Sequence, residues 1–268
     1  MKYDLHVHSN YSDGDFTMDE LSILAKKNNL GGFAITDHDT VAGWGEIENL
    51  RAKHGIIIIP GVEISTEFND TDVHILAYGL TLKSKNTLDL LGELYNSRFH
   101  RTELMVEKLR SLGFDIEAKD VFAISGQGSP GRPHIAKLMV QKGYAKTEKE
   151  VFEKYISRGS LAYVPRKKVS PFECVKLIKS DGGFGVLAHS GIDDTYKLAE
   201  KLKDGGLWGL EVFHSSHSVV VERKLKELAE NLGLEITGGS DFHSLDDKGH
   251  GNLGTKFIET DNIFSKFK

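Results

Sequence analysis

The chain has almost no cysteine and no long apolar run. Its single cysteine, Cys174, excludes a disulfide within the 268 residues and indicates a reducing compartment. No stretch approaches the roughly 18 apolar residues that a membrane span needs. Charged residues within the first four positions are not typical of a secretory signal. We therefore expect a cytoplasmic protein without a membrane partner.

A basic excess is also missing. Lys and Arg total 34 against 39 Asp and Glu, which gives a net charge of -5 with histidine neutral. This balance weighs against an extended duplex nucleic-acid partner, although it allows a short nucleotide in a local basic pocket. The 28 glycines form neither a nucleotide-triphosphatase loop nor a dinucleotide fingerprint. The remaining composition is that of an ordinary globular domain, with or without an insertion.

Short apolar strands alternate with helical stretches towards both ends of the chain. From Lys2 to His8 apolar and polar residues alternate, which predicts a strand. Thr17 and Glu20 form a capping-box pattern, which predicts a helix to about Asn29. Further strands are predicted at Gly32–Thr36, Ile56–Ile59, Val73–Leu80, Gly185–Ala188, Gly209–Phe213, Leu234–Thr237 and Lys256–Glu259. This alternation predicts an α/β fold with parallel strands, and seven or eight strands favour a barrel.

The central part of the chain interrupts this pattern. Helical spacing dominates from Leu88 to Leu112, and shorter helices are predicted at 133–143 and 147–157. We therefore predict a helical insertion over residues 84–163. The flanking segments, 1–83 and 164–268, would then form one discontinuous β/α barrel.

Histidines and carboxylates recur at or near the ends of the predicted strands. They are His6, His8, Asp37, His38, Glu63, His189, Glu211, His214, Asp241 and His243, with His74 inside the fourth strand. The carboxyl ends of barrel strands converge on one face, where active sites lie. Imidazole and carboxylate ligands suit Mn, Fe and Zn. A lone histidine is usually a surface or core residue, so the hypothesis of a metal site depends on this recurrence.

At the level of motifs, the chain resembles the PHP (polymerase and histidinol phosphatase) family over nearly its whole length. The matching motifs are His6-Val7-His8-Ser9, Asp13-Gly14, Thr36-Asp37-His38-Asp39, Gly61-Val62-Glu63-Ile64, His74, Ala188-His189 and Gly239-Ser240-Asp241-Phe242-His243. The resemblance implies a distorted seven-stranded (β/α)7 barrel that holds two or three divalent cations, with Mn first and Fe or Zn as alternatives.

The same resemblance implies a set of nine ligands. One ion would be bound by His6, His8, Glu63 and Asp241. A second would share Glu63 and add His74 and His189. A third would be bound by Asp13, His38 and His243.

The insertion resembles one branch of the family. Its segments Gly131–His134, Tyr155–Gly159 and Tyr163–Pro165 are similar to those of small bacterial enzymes that remove the 3′-phosphate of nucleoside 3′,5′-bisphosphates and trim short RNA from the 5′ end. The resemblance implies that the insertion caps the site, with Arg132, His134 and Arg158 as ligands of the second phosphate. The alternative for such arginines is solvated helix charge.

The expected chemistry follows from charge. Three carboxylates against two or three divalent ions leave a net charge of roughly +1 to +3, which favours a phosphate dianion. Metal-bound hydroxide would then attack phosphorus directly, without a phosphoenzyme. Asp241, as a ligand, and His217, as proton donor to the leaving group, are the catalytic candidates. A polar turn is the alternative role for His217.

Three other functions remain open. The chain could hydrolyse another small metabolite such as histidinol phosphate, act as a processive nuclease or proofreader, or serve as a non-enzymatic metal-binding interaction domain. Kinetics with histidinol phosphate would test the first function, and a labelled oligonucleotide assay would test the second. Activity that requires added Mn and is lost on His8→Ala would exclude the third. The oligomeric state is left open.

Overall fold

A computed structural model describes residues 1–126, 128–167, 169–245 and 251–263. Eight strands form one sheet: β1 Lys2–Val7, β2 Gly32–Ile35, β3 Ile57–Phe68, β4 Thr71–Tyr78, β5 Phe184–Leu187, β6 Gly209–His214, β7 Glu235–Gly239 and β8 Ile258–Glu259. Their order is β7-β6-β5-β4-β3-β2-β1-β8, so neighbours in sequence are neighbours in space along most of the sheet.

The sheet curls so that β1 meets the segment after β7. Val7 forms a parallel bridge with Phe242. The Asp241 N–H donates to the His6 carbonyl at 2.9 Å, and the His8 N–H donates to the Phe242 carbonyl at 3.0 Å. These bonds nearly close the barrel between the first and seventh strands. The predicted distorted barrel is therefore confirmed, with the two-residue β8 attached antiparallel to β1.

The expectation of uniformly parallel strands was wrong at two places. β3 is twelve residues long and turns back through Asn69 and Asp70 into β4, so the two strands form an antiparallel hairpin. Both turn residues have positive φ, 48° and 61°, a conformation that Asn and Asp tolerate better than most residues. β4 consequently runs antiparallel to β5 as well. The short β8 is the second exception.

Nine α-helices lie in the described part of the chain. They are α1 Met18–Lys27, α2 Ile47–His54, α3 Lys85–Ser111, α4 Ala118–Ser125, α5 Arg132–Gln141, α6 Glu148–Val151, α7 Pro171–Ser180, α8 Ala199–Gly205 and α9 Val219–Leu232. Both halves of the predicted Thr17–Glu20 capping box are present. The predicted helix at 147–157 is α6 followed by a π-helical turn, Phe152–Ile156. None of these helices combines the length and apolar character that a bilayer crossing requires.

The central helices have a hydrophobic core of their own. Met105, Leu109, Ile135 and Met139 from α3 and α5 belong to a buried cluster with residues of α4 and α6. The barrel is packed by three other clusters, two of which contain residues from β1. Leu90, Leu91 and Leu94 of α3 instead pack in a barrel cluster, so the separate core favours an inserted unit that begins within α3. The boundaries 84–163 remain a prediction.

Candidate metal centre

Four side-chain atoms converge where β1 ends. The Nε2 atoms of His6 and His8 lie 3.3 and 3.2 Å from Glu63 Oε2, and 3.3 and 3.1 Å from Asp241 Oδ1. His6 and His8 share one face because side chains two residues apart on a strand point the same way. Asp241 follows β7 with φ +56°, and this turn places its carboxylate beside them.

These four atoms fit a divalent ion. Ligand atoms about 2.1 Å from one ion lie about 3.0–3.4 Å apart in octahedral or tetrahedral geometry. The atoms His6 Nε2, His8 Nε2 and Glu63 Oε2 are buried without a hydrogen-bond partner among the residues that the structure describes. A buried polar atom without a partner is costly, and a cation would supply the missing interaction.

Glu63 extends the cluster to a second group. Its Oε1 lies 2.7 Å from His74 Nδ1 and 3.1 Å from His189 Nε2, and its Oε2 lies 3.0 Å from His38 Nδ1. His38, Glu63 and His74 each offer one atom close enough to the others to bind the same ion. His189 also belongs to the cluster, because its Nε2 is 3.2 Å from His74 Nδ1.

Asp13 is the centre of a third group. Its carboxylate lies 3.3 Å from His243 Nε2 and 3.8 Å from both His38 Nε2 and His8 Nδ1. All nine residues expected as ligands are therefore brought into one contiguous cluster. Their assignment to individual ions remains a prediction.

The antiparallel hairpin explains the position of His74. The carboxyl ends of parallel strands lie at the site, so an antiparallel strand must contribute from its amino-terminal half. His74 is the fourth of the eight residues of β4 and pairs with Ser65 near the far end of β3. Likewise, Glu63 lies inside β3 rather than after it.

Glu211 supports the first group. Its carboxylate lies 3.0 and 3.3 Å from His6 Nδ1 and accepts the His189 N–H at 2.6 Å. A carboxylate on the outer nitrogen of a ligating histidine fixes its tautomer and orientation. Sequence reasoning noticed Glu211 at a strand end but assigned it no role.

The tautomer of His214 does not suit its Nε2 to bind a metal ion. Its Nδ1 accepts the Ser216 N–H at 3.1 Å, so the proton of the neutral ring is on Nε2. That Nε2 faces Asp241 Oδ2 at 3.4 Å. His214 is therefore suited to orient Asp241. Asp37 stabilises the loop after β1, because it accepts hydrogen bonds from the Ser9 N–H at 2.8 Å and from the Ser12 hydroxyl at 2.7 Å.

His217 does not have a free ring nitrogen. Its Nδ1 donates to the Val212 carbonyl at 2.9 Å, and its Nε2 accepts the Gly191 N–H at 3.0 Å. Burial lowers the pKa of His217 below its ordinary value. Since both nitrogens are bonded to backbone, this geometry argues against the expected role as proton donor.

Neighbouring charges shift the pKa values of several side chains in this cluster. Although burial favours the neutral ring, the Asp13 carboxylate raises the pKa of His243 to about 10. Burial opposes ionisation of Glu63 as well, yet His38 and His74 hold the pKa of its carboxyl well below the usual range. The surroundings thus favour the ionised carboxyl of Glu63 and the protonated ring of His243.

A group of arginines borders this cluster. Arg98, Arg101, Arg132 and Arg166 line the same pocket as Asp13, His38 and His74. Arg98 pairs with buried Asp39 at 2.7 Å, Arg166 pairs with Asp72 at 2.7 Å, and Arg132 lies 3.7 Å from Asp72. Only Arg132 of these four was expected from sequence.

Arg101 is the arginine of this group without an acidic partner among the described residues. Its Nε donates to the Val164 carbonyl at 2.8 Å. Burial, followed by the nearby guanidiniums of Arg132 and Arg166, lowers the pKa of Arg101 to about 9. The group is still a cation at pH 7, and the described part of the chain provides no carboxylate to neutralise it.

The two other substrate-binding candidates have internal partners. Arg158 pairs with Glu67 at 2.8 Å and lies 3.4 and 3.6 Å from Asp70 and Asp72, so it ties the helical segment to the β3–β4 hairpin. His134 Nδ1 accepts the Gly131 N–H at 3.0 Å at the start of its own helix. Their roles in substrate binding stay predictions.

The barrel and its cluster define a metal-dependent phosphoesterase, a phosphoric ester hydrolase. The chain belongs to the family described as PHP domain, whose model matches residues 4–237. The fold and the clustered ligands together support divalent metal binding by this family member.

Several characterised relatives cover most of the chain. It is 32% identical over 248 residues to the 5'-3' exoribonuclease Rnm of Salmonella typhimurium, covering 90% of this chain and 85% of that one. It is also 32% identical over 254 residues to the 3',5'-nucleoside bisphosphate phosphatase of Chromobacterium violaceum, covering 90% and 87%. A solved metal-dependent phosphoesterase of Bifidobacterium adolescentis superposes with TM-score 0.90 at 32% identity, covering 98% and 94%.

Proposed function

We propose that this enzyme hydrolyses the 3′-phosphate of nucleoside 3′,5′-bisphosphates and also trims short RNA from the 5′ end. The observation that carries this proposal is Arg101, which has no acidic partner within the described ranges and lies in a pocket with the candidate metal ligands His38 and His74. The site thus has one place for the reacting phosphate and a second, cationic place beside it.

The charge of the second place suits a phosphate dianion. The four guanidiniums contribute +4 and their carboxylate partners Asp39 and Asp72 contribute -2, so these six side chains together have a net charge of +2. Arginine's planar fork binds phosphate oxygens in pairs. A substrate with a single phosphate would leave Arg101 without a counter-ion.

The residues divide the work between them. Divalent ions, of which we propose Mn first, would supply an activated water and neutralise phosphoryl charge. The nine clustered side chains would hold the ions, and Glu211 and His214 would orient His6 and Asp241. Arg101, Arg132 and Arg166 would bind the second phosphate and so direct the other ester to the metal centre.

The RNA activity uses the same geometry. A short RNA with a 5′-phosphate presents a terminal phosphate and, on the 3′ side of the same nucleotide, a phosphodiester. The named activities of the Salmonella and Chromobacterium relatives support these two substrates for this chain. The net charge of -5 supports short rather than extended nucleic acid.

Steady-state kinetics of the Mn-loaded enzyme test the proposal. We expect kcat/KM for adenosine 3′,5′-bisphosphate to exceed that for 3′-AMP by roughly 10- to 150-fold, the value of a charged hydrogen bond of about 1.5–3 kcal/mol. Histidinol phosphate and a 5′-phosphorylated RNA tetramer complete the panel. A preference for histidinol phosphate, or equal use of the two nucleotides, would overturn the proposal.

A further inference from the structure

The turn that carries His189 is held by two hydrogen bonds from one side. Glu211 accepts the His189 N–H at 2.6 Å, and His217 Nε2 accepts the Gly191 N–H at 3.0 Å. Both acceptors come from β6 or from the segment directly after it. His189 itself has φ +27°, which is uncommon for a non-glycine residue and requires support from its surroundings.

Gly191 is packed closely against His217. A Cβ at this position would lie 2.7 Å from His217 Cδ2 and 2.5 Å from Val221 Cγ1. Glycine therefore permits the approach, and the imidazole makes a bonded contact with the turn. The other ring nitrogen is bonded to Val212, a residue of β6, so the ring bridges this strand and the His189 turn.

We propose that His217 is a positioning residue that fixes the His189 turn through its Nε2, and that it donates no proton in the reaction. The proposal rests on the proposed metal role of His189. The Nδ1–H bond to Val212 determines the tautomer, which leaves Nε2 as the acceptor for Gly191. Loss of this acceptor would release the turn and weaken the hold of His189 on its ion.

Two substitutions separate the nitrogens of the ring. In His217→Gln the side-chain carbonyl reaches the place of Nε2 and can accept the Gly191 N–H. In His217→Asn the shorter amide reaches the place of Nδ1 and keeps only the Val212 bond. Mn²⁺ affinity of the metal-free protein, measured by titration without substrate, reports the metal centre independently of the substrate assigned above.

We expect His217→Gln to retain Mn²⁺ affinity and kcat. We expect His217→Asn to lose roughly 10- to 100-fold in Mn²⁺ affinity, as other outer partners of metal ligands do. At saturating Mn²⁺ the His217→Asn variant should recover kcat, with KM unchanged. Large losses of kcat in both variants with unchanged Mn²⁺ affinity would instead indicate a proton donor. Unchanged Mn²⁺ affinity and kcat in both variants would leave His217 as packing alone, and either result overturns the proposal.

Gly191→Ala provides an independent perturbation of the same contact. It should weaken Mn²⁺ binding while His217 is intact, because its Cβ forces the turn away from the ring. Unchanged Mn²⁺ affinity in a folded Gly191→Ala protein would also contradict the proposal.

Discussion

Replacing Arg101 with methionine isolates the charge that the proposed function requires. The change removes the guanidinium while keeping an unbranched apolar side chain. Within the described residues no carboxylate loses a partner, since the bonded neighbour of Arg101 is the Val164 carbonyl. Burial lowers the pKa of Arg101 most, and repulsion from Arg132 and Arg166 lowers it further; this repulsion disappears at the same time.

The magnitude follows from the bonds that are lost. A hydrogen bond between charged groups contributes about 1.5–3 kcal/mol, so kcat/KM for adenosine 3′,5′-bisphosphate should fall roughly 10- to 150-fold. The value for 3′-AMP should be nearly unchanged. The free energy of unfolding should change by less than about 1 kcal/mol, because relief of repulsion offsets the lost bond to Val164.

Arg158→Met is the matched control. Arg158 is also in the predicted insertion, but it pairs with Glu67, whose side chain is almost fully buried. We expect this variant to unfold at lower denaturant concentration and to keep the preference of the unmodified enzyme for the bisphosphate over 3′-AMP. The reasoning would be refuted if Arg101→Met slowed both nucleotides equally, or if Arg158→Met lost the bisphosphate selectively.

Three further predictions concern the cluster and the barrel. Mn²⁺ binding at pH 7 should release protons and tighten as pH rises, because His243, with a pKa raised to about 10, is protonated in the metal-free protein. Calorimetry in buffers of different ionisation enthalpy measures the number of protons released, and a value of zero would contradict the prediction. Glu211→Gln should lower Mn²⁺ affinity roughly 10- to 100-fold through loss of the carboxylate on His6, and an unchanged titration curve would remove this role. Gly239→Ala should lower the free energy of unfolding by roughly 1–3 kcal/mol, because its Cβ would lie 2.4 Å from the His6 backbone nitrogen. The control in denaturant unfolding is Gly92→Ala on α3, where an added Cβ has no neighbour within 4 Å. Equal stability of the two variants would disprove the close packing at Gly239.

Most of the expected ligand positions were accessible from sequence because they lie at or near a point where a periodic pattern stops. His6 and His8 close a strand of alternating residues, and Asp241 and His243 follow another. The rule that barrel strands point their carboxyl ends to one face then brings them together. Family motifs supplied Asp13, for which periodicity gave no signal.

The hairpin was missed because its signal is weak. Ile57–Pro60 reads as a short buried strand, and nothing in the next eight residues separates a continued strand from a loop. The Asn69-Asp70 pair, two residues that tolerate positive φ, was the available clue to a turn. Helix α4 was missed for a similar reason, since eight residues give barely two turns of periodicity.

The sequence could not show which arginines are available to bind a phosphate. Whether a guanidinium is paired depends on residues distant in the chain, such as Asp39 beside Arg98 or Glu67 beside Arg158. Proximity to a recognised motif selected Arg158. Arg101, which lacks an acidic partner among the residues that the structure describes, lies inside the long helix α3, where the local sequence does not distinguish it.

The joining of β1 to the segment after β7 has a consequence for biosynthesis. A chain still on the ribosome can present His6, His8 and Glu63 long before Asp241 emerges, but three donors without the fourth form an incomplete cage. With the ligands proposed above, tight metal capture would wait until the last strands have docked beside the first. Loading with metal would then report that translation and barrel closure are both finished.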